Sequence, residues 1–128
     1  MLGIVQNIPD FMVYTGTETL LLDILNKGGA GCITATANLI APECQRVYQA
    51  WKNNKQKVAE EAQMNLTDLR KTLENYPLVS ELKSLFAAHT NAEEWGKMLP
   101  PFAPILDKQV EELTEQIKWL GLDLKLRL

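Results

Sequence analysis

The sequence carries one histidine, His89, and two cysteines, Cys32 and Cys44, in 128 residues. A single imidazole excludes a histidine-rich metal cluster and leaves a Ser-His-Asp arrangement without support. The cysteines form neither a CxxC pair nor a dense framework, which fits a reducing cytosol. An excess of positive charge is also missing. Thirteen Lys+Arg stand against 16 Asp+Glu, for a net charge of −3, whereas nucleic acid or an anionic membrane demands a basic face. No apolar run approaches the roughly 18 residues of a membrane span. Met1 to Asp10 has neither the basic start nor the long apolar run of a signal peptide. What remains, 46% hydrophobic and 23% charged, is the composition of one soluble cytoplasmic domain.

Phe11 to Thr15 (FMVYT) is short, apolar and β-rich between Pro9-Asp10 and Gly16, and is predicted to be a buried strand. Thr17 is the expected N-cap of the helical stretch TETLLLDILNK, which Gly28-Gly29 closes. Gly31 to Thr36 (GCITAT) is predicted as a second strand, uncharged as expected when both faces are covered. Strand, helix and strand with short loops make a βαβ unit, whose strands run parallel.

Beyond this unit the pattern is helical. Pro42 marks a helix start, followed by Cys44, Val47, Tyr48 and Trp51 at helical spacing, with a break at Asn53-Asn54. Val58, Ala62, Leu66, Leu69 and Leu73 form the next stripe, up to Asn75-Tyr76-Pro77. Leu78, Leu82, Leu85 and Phe86 mark a shorter helix, and Leu99 to Pro104 a connector that cannot be helical throughout. Asp107 is expected to cap a last helix with the seam Val110, Leu113, Ile117 and Leu120, ended by Gly121. Two short parallel strands make no stable sheet by themselves, so other strands must pair their edges. Either another chain completes the sheet, or these are strands of a larger α/β protein.

Tyr14 to Asn38, YTGTETLLLDILNKGGAGCITATAN, resembles the last two barrel strands of the dihydrodipicolinate synthase and N-acetylneuraminate lyase superfamily. There the family reads S/T-G-x-x, an apolar helix, G-G-x-G, and a strand close to V-I-S-x-T-A-N. Tyr76-Pro77-Leu78-Val79 is similar to its N-P-I-P-V-K segment, Leu99 to Pro104 (LPPFAP) to its L-P-x-x-P link, and Asp107 to Leu122 to its closing helix. The resemblance runs from about Ile4 to Leu122. It implies an α/β fold that is the C-terminal part of a (β/α)8 barrel, with the last two parallel strands in residues 1–54 and a helical extension in 55–128. A complete barrel takes about 250 residues.

Members of this superfamily are class I aldolases and lyases that join a lysine to a 2-oxo acid such as pyruvate as an imine. The imine is itself the electron sink, so the resemblance implies no metal and no diffusible cofactor. The family's lysine on the sixth strand, its tyrosine on the fifth and its G-T-T-G-E loop all precede the matching region. None of the lysines from Lys27 to Lys125 sits in an apolar strand, and a nucleophilic lysine needs desolvation or a neighbouring cation. No catalytic residue is therefore assigned.

By resemblance, Gly16, Thr17, Glu18, Ile33 and Ala35 are the candidate substrate contacts. Gly16 matches a glycine that lets substrate approach the backbone, although a tight strand-to-helix turn also calls for glycine. Thr17 and Glu18 lie on the loop that binds substrate hydroxyls in sialic-acid-type members. Equally, Thr17 caps the helix and Glu18 suits its positive end. Thr19 and Ala35 stand where such members carry an acid and a serine, which weakens a sugar-acid reading. Ile33 aligns with a residue that contributes its backbone carbonyl. His89 is expected to be a solvated histidine at a helix C-terminus, and the cysteines buried small apolar residues. Glu60-Glu61 and Glu111, Glu112 and Glu115 read as solvated helix faces with no metal.

Two functions are weighed. One is the C-terminal portion of a pyruvate-type lyase or synthase; the other is a non-catalytic helical interaction or oligomerisation module on the same scaffold. The expected partners are a small 2-oxo acid in the intact enzyme and either further copies of the chain or a missing N-terminal half-barrel. The seam of the last helix, with Trp119 beside it, exceeds what two strands and a few helices can bury.

Overall fold

A computed structural model describes residues 3, 8–90, 92–122 and 124. Ile4, Asn91 and Lys125 lie outside the described residues, as does most of Met1 to Asp10. The chain divides into two compact units, residues 1–67 and 68–128.

The first unit is built on strands β1 (Tyr14–Thr15) and β2 (Gly31–Cys32), paired in parallel with Tyr14 opposite Gly31 and Thr15 opposite Cys32. Backbone bonds from Ala30 N to Val13 O (2.8 Å) and from Ile33 N to Thr15 O (3.0 Å) extend the ladder. The βαβ expectation holds, but both strands are shorter than FMVYT and GCITAT suggest. β2 stops because Thr36 already has helical dihedrals and the Thr34 hydroxyl accepts the Ala37 N–H at 3.3 Å. Between the strands, a 3-10 turn (Glu18–Leu20) leads into helix α1 (Leu21–Asn26), with Thr17 as the expected N-cap accepting from Thr19 N.

The termination of α1 follows from two glycines. Gly28 has φ +83°, and its N–H bonds to Leu25 O while Gly29 N–H bonds to Ile24 O, a Schellman closure. A Cβ on Gly29 would lie 2.3 Å from Ile24 Cγ1. Leu21, Leu22, Ile24 and Leu25 are buried, and α1 packs on helix α2 (Ala37–Lys52).

Helix α2 starts five residues before the expected Pro42. Ile40 is non-helical (φ −115°, ψ 26°), so a short helical turn precedes a kink and the regular helix resumes at the proline. Pro42 has no N–H to give to the preceding turn, so it fits a helix start and not a helix interior. At the expected break, Asn54 takes φ 55° and Lys55 N–H reaches Ala50 O at 2.9 Å, the same closure with asparagine in place of glycine. Helix α3 (Gln56–Thr72) follows. Here Val58 is 51% exposed and Ala59 takes the buried position, because the inward stripe runs Ala59, Leu66, Leu69, Leu73.

In the second unit, helix α4 (Leu78–His89) packs on a 3-10 turn (Glu93–Gly96), with the rings of Phe86 and Trp95 stacked at 5.0 Å. The connector binds back through Ile105 N–H to Ser84 Oγ (3.2 Å). Helix α5 (Asp107–Trp119) has Leu106, not Asp107, as its N-cap residue. Gln109 Oε1 takes the Leu106 N–H at 2.9 Å, so the side chain three residues on does the capping. Gly121 (φ +85°) closes it, with Leu122 N–H on Ile117 O. Val110, Leu113 and Ile117 are buried, whereas Leu120 is 38% and Trp119 91% exposed. Among the described residues, no helix is long and apolar enough to cross a membrane.

Candidate functional site

Parallel pairing brings the C-terminal ends of β1 and β2 side by side, and with them the segments Gly16 to Glu18 and Ile33 to Ala35. Strand alternation then sorts the side chains. Val13, Thr15 and Cys32 share one face, with Val13 buried and the other two half-buried. Met12, Tyr14 and Ile33 share the opposite face, where Tyr14 covers Gly31 and Ile33 is 71% exposed. The sheet thus has a covered side and an open side.

At the end of β1, Thr15 organises the turn. Its hydroxyl donates to Thr17 O (3.2 Å) and accepts the Thr17 N–H (3.3 Å). The Thr17 and Thr19 hydroxyls lie 3.0 Å apart. Gly16 is exposed, has no left-handed φ, and an added Cβ there would meet nothing within 4 Å. Neither the turn nor a neighbour requires glycine at this position.

Glu18 is fully buried, and its carboxylate accepts the Thr36 hydroxyl, itself buried and 2.8 Å from Thr34 Oγ1 across the hydroxyl pair. Gly16, Ile33 and Ala35 are exposed at the strand ends and Thr17 is half-buried there; only Glu18 is buried.

Three features escape the sequence reading. The first is Gln63 on α3. Its Nε2 donates to Glu18 O (3.0 Å), Thr19 O (3.3 Å) and Thr67 Oγ1 (3.1 Å), while Oε1 accepts the Leu22 N–H (2.9 Å). A polar residue at helical spacing from Ala59 and Leu66 was its available signal. The second is Thr36. The third is the thiol pair: Cys44 hydrogen-bonds to Cys32 and holds the Cys32 thiol below its ordinary range, against the effects of burial and the Glu18 charge. That bond, burial and the nearby charges push the Cys44 thiol up.

His89 is half-buried; its Nδ1 donates to Leu85 O (3.0 Å) and its Nε2 is 3.5 Å from Thr114 Oγ1. No described lysine is buried. Lys27 pairs with Asp23 at 2.7 Å, and Lys83 donates to Lys97 O at 2.6 Å. A cleft of about 460 Å³ between α2 and α3, lined by Glu43, Arg46, Gln49, Asn53, Lys55 and Glu61 among others, contains none of the candidate contacts. Among the described residues, no group of three or more His, Cys, Asp or Glu is placed to hold a metal ion.

The model of the dihydrodipicolinate synthetase family matches residues 1–120. The chain is 32% identical over 120 residues to the 4-hydroxy-tetrahydrodipicolinate synthase of Limosilactobacillus fermentum, covering 93% of this chain and 37% of that one. It is 28% identical over 114 residues to the synthase of Acetivibrio thermocellus, covering 89% and 38%. Among solved structures, dihydrodipicolinate synthase from Thermotoga maritima superposes with a TM-score of 0.78 at 24% identity, over 91% of this chain and 39% of that one. N-acetylneuraminate lyase from Mycoplasma synoviae gives 0.77 at 22% identity, over 90% and 41%. The two parallel strands and five helices are therefore the C-terminal part of a TIM barrel. The chain spans about two-fifths of the length of the curated relatives it matches.

Proposed function

The chain belongs to the dihydrodipicolinate synthetase family, and from that premise we propose that it supplies the C-terminal part of a lyase or synthase acting on pyruvate or a related 2-oxo acid through a lysine imine. Residues 1–54 contribute the last two barrel strands and residues 55–128 the helical extension. The lysine belongs to the preceding strands and is not on this chain. Gly16, Thr17, Ile33 and Ala35 form part of the rim at the strand ends, and Glu18 shapes that rim from beneath. No metal or diffusible cofactor takes part, since the imine withdraws the electrons.

One observation carries this reading. The sheet has its helix side covered by its own helices, while Met12, Tyr14 and Ile33 stand exposed on the other. In a closed barrel that second side is the packed interior, and the loops beyond the strand ends are where barrel enzymes place their chemistry. The partner that completes the fold is accordingly the six preceding strands. Further copies of the chain associate through the helical extension, where Trp119 and Leu120 border a cleft of about 410 Å³ with Thr72, Glu115 and Gln116.

Borohydride reduction in the presence of pyruvate tests the assignment. An imine requires a lysine that is neutral and shielded from water, and every described lysine here is solvated or paired. The chain by itself is expected to retain its unmodified mass. A stable adduct on one of its lysines overturns the assignment.

A further inference from the structure

A groove of about 500 Å³ lies in the second unit, where α4, the 3-10 turn Glu93–Gly96, the connector and the first turns of α5 come together. Small residues give it depth, Ala87 and Ala88 on α4 and Gly96 on the turn, and Ile105 and Val110 are its aliphatic walls. The sequence neighbours of these residues extend the apolar surface: Trp95 is 44% and Leu106 70% exposed. The walls are fixed before any ligand arrives. Trp95 stacks on Phe86, and the Ile105 N–H bonds to the hydroxyl of the buried Ser84.

The charge on this groove has one sign. Asp107 and Glu111, one turn apart on α5 and both exposed, are its charged lining residues. Neither has an ion-pair partner among the described residues, whereas the next carboxylate, Glu112, is paired with Lys108 at 3.6 Å. The Lys83 ammonium on α4 is held by Lys97 O (2.6 Å) and is not part of the lining. Side chains four apart on a helix stand about 6 Å from each other, so one cation can lie between the two carboxylates. We propose that the groove docks a short segment of a partner protein carrying an arginine between aliphatic residues. A guanidinium fork answers both carboxylates at once, where an ammonium is a point charge. The arginine stem and the flanking aliphatic side chains cover the apolar walls. A groove of this size takes a few side chains and is far smaller than the faces that join globular partners. The occupant is therefore a segment and not a folded surface. The proposal does not depend on the imine chemistry above, and the groove lies at the opposite end of α5 from Trp119.

The test titrates the full chain with the peptide acetyl-Leu-Arg-Leu-amide and follows the backbone amides by NMR. Saturable shifts are expected at Ala88, Gly96, Ile105 and Glu111, with binding that weakens as salt is raised. Replacing the peptide's arginine by glutamine, or its leucines by serine, is expected to raise Kd at least about tenfold. Asp107→Asn combined with Glu111→Gln has the same effect, while unchanged amide positions elsewhere show that the fold is kept. Ala88→Trp, at an exposed lining position, is expected to fill the groove and remove binding with both carboxylates in place. The absence of saturable shifts, shifts centred on other residues, equal binding of the glutamine peptide, or spermidine binding as tightly as the arginine peptide each overturn the proposal.

Discussion

The side chain of Gln63 and the backbone of Leu22 are joined across 41 residues of sequence by a hydrogen bond of 2.9 Å. With the bonds from Nε2 to Glu18 O and Thr19 O, one amide ties the whole turn after β1 to α3. Gln63→Leu leaves one backbone N–H and two carbonyls without their side-chain partner. The expected loss is about 2 kcal/mol of unfolding free energy, within the cost of orphaned, partly buried polar groups. Chemical denaturation reads it, and faster hydrogen exchange at the Leu22 amide locates it. An unchanged Leu22 exchange rate contradicts the role.

Glu81 sets a pH dependence in the second unit. Its Oε2 accepts the Tyr76 N–H at 3.2 Å, but its buried Oε1 has no hydrogen-bond partner among the described residues. Burial pushes the carboxyl up from 4.5 to about 8, outweighing the Tyr76 bond and the Arg70 charge. Between those values the folded chain keeps a proton that the unfolded chain releases. Raising the pH through that window therefore favours unfolding, and the loss levels off above the folded value. Denaturation midpoints are expected to fall between about pH 5 and about pH 8, and Glu81→Gln to flatten that slope. Equal midpoints for the unsubstituted chain at both ends of the window would count against it.

Gly16 is open in the fold, so Gly16→Ala is expected to leave thermal stability unchanged within about 0.5 kcal/mol, or to raise it slightly by restricting the unfolded chain. The rim assignment adds a second consequence: in the completed barrel, the added methyl weakens binding of the 2-oxo acid. Calorimetric titration with pyruvate separates the two effects. Loss of stability without loss of binding assigns Gly16 to the turn alone.

Trp119 is 91% exposed, so replacing it removes almost no intrachain packing. Trp119→Glu is expected to keep the melting temperature and to shift sedimentation from a dimer or larger assembly to the monomer. A clean monomer at micromolar concentration for the unsubstituted chain contradicts the proposed association.

The βαβ unit was legible because its signals are local. Gly28-Gly29 and Asn53-Asn54 mark helix ends, and three helices close by the same positive-φ device at Gly28, Asn54 and Gly121. The start of α2 was obscured because Pro42 announces the regular helix but hides the short turn before its kink. Val58 and Ala59 were exchanged because a one-residue shift in phase changes which side chain faces inward. The site divides in the same way. Gly16, Thr17, Ile33 and Ala35 were reached through the family resemblance, and they lie just beyond strands that end earlier than their apolar runs suggest. The burial of Glu18 depends on Thr36, and the anchoring of its turn on Gln63, 45 residues away. Such pairings arise only when distant segments fold together.

The central claim is that these strands complete an active site whose lysine lies on another segment. The most direct measurement mixes this chain with a second chain carrying the six preceding strands and their lysine, adds pyruvate, reduces with borohydride, and weighs both polypeptides. The account predicts a pyruvate adduct on the added chain that increases when this chain is present, with this chain's mass unchanged. An adduct on this chain, or a yield on the added chain indifferent to its presence, contradicts it.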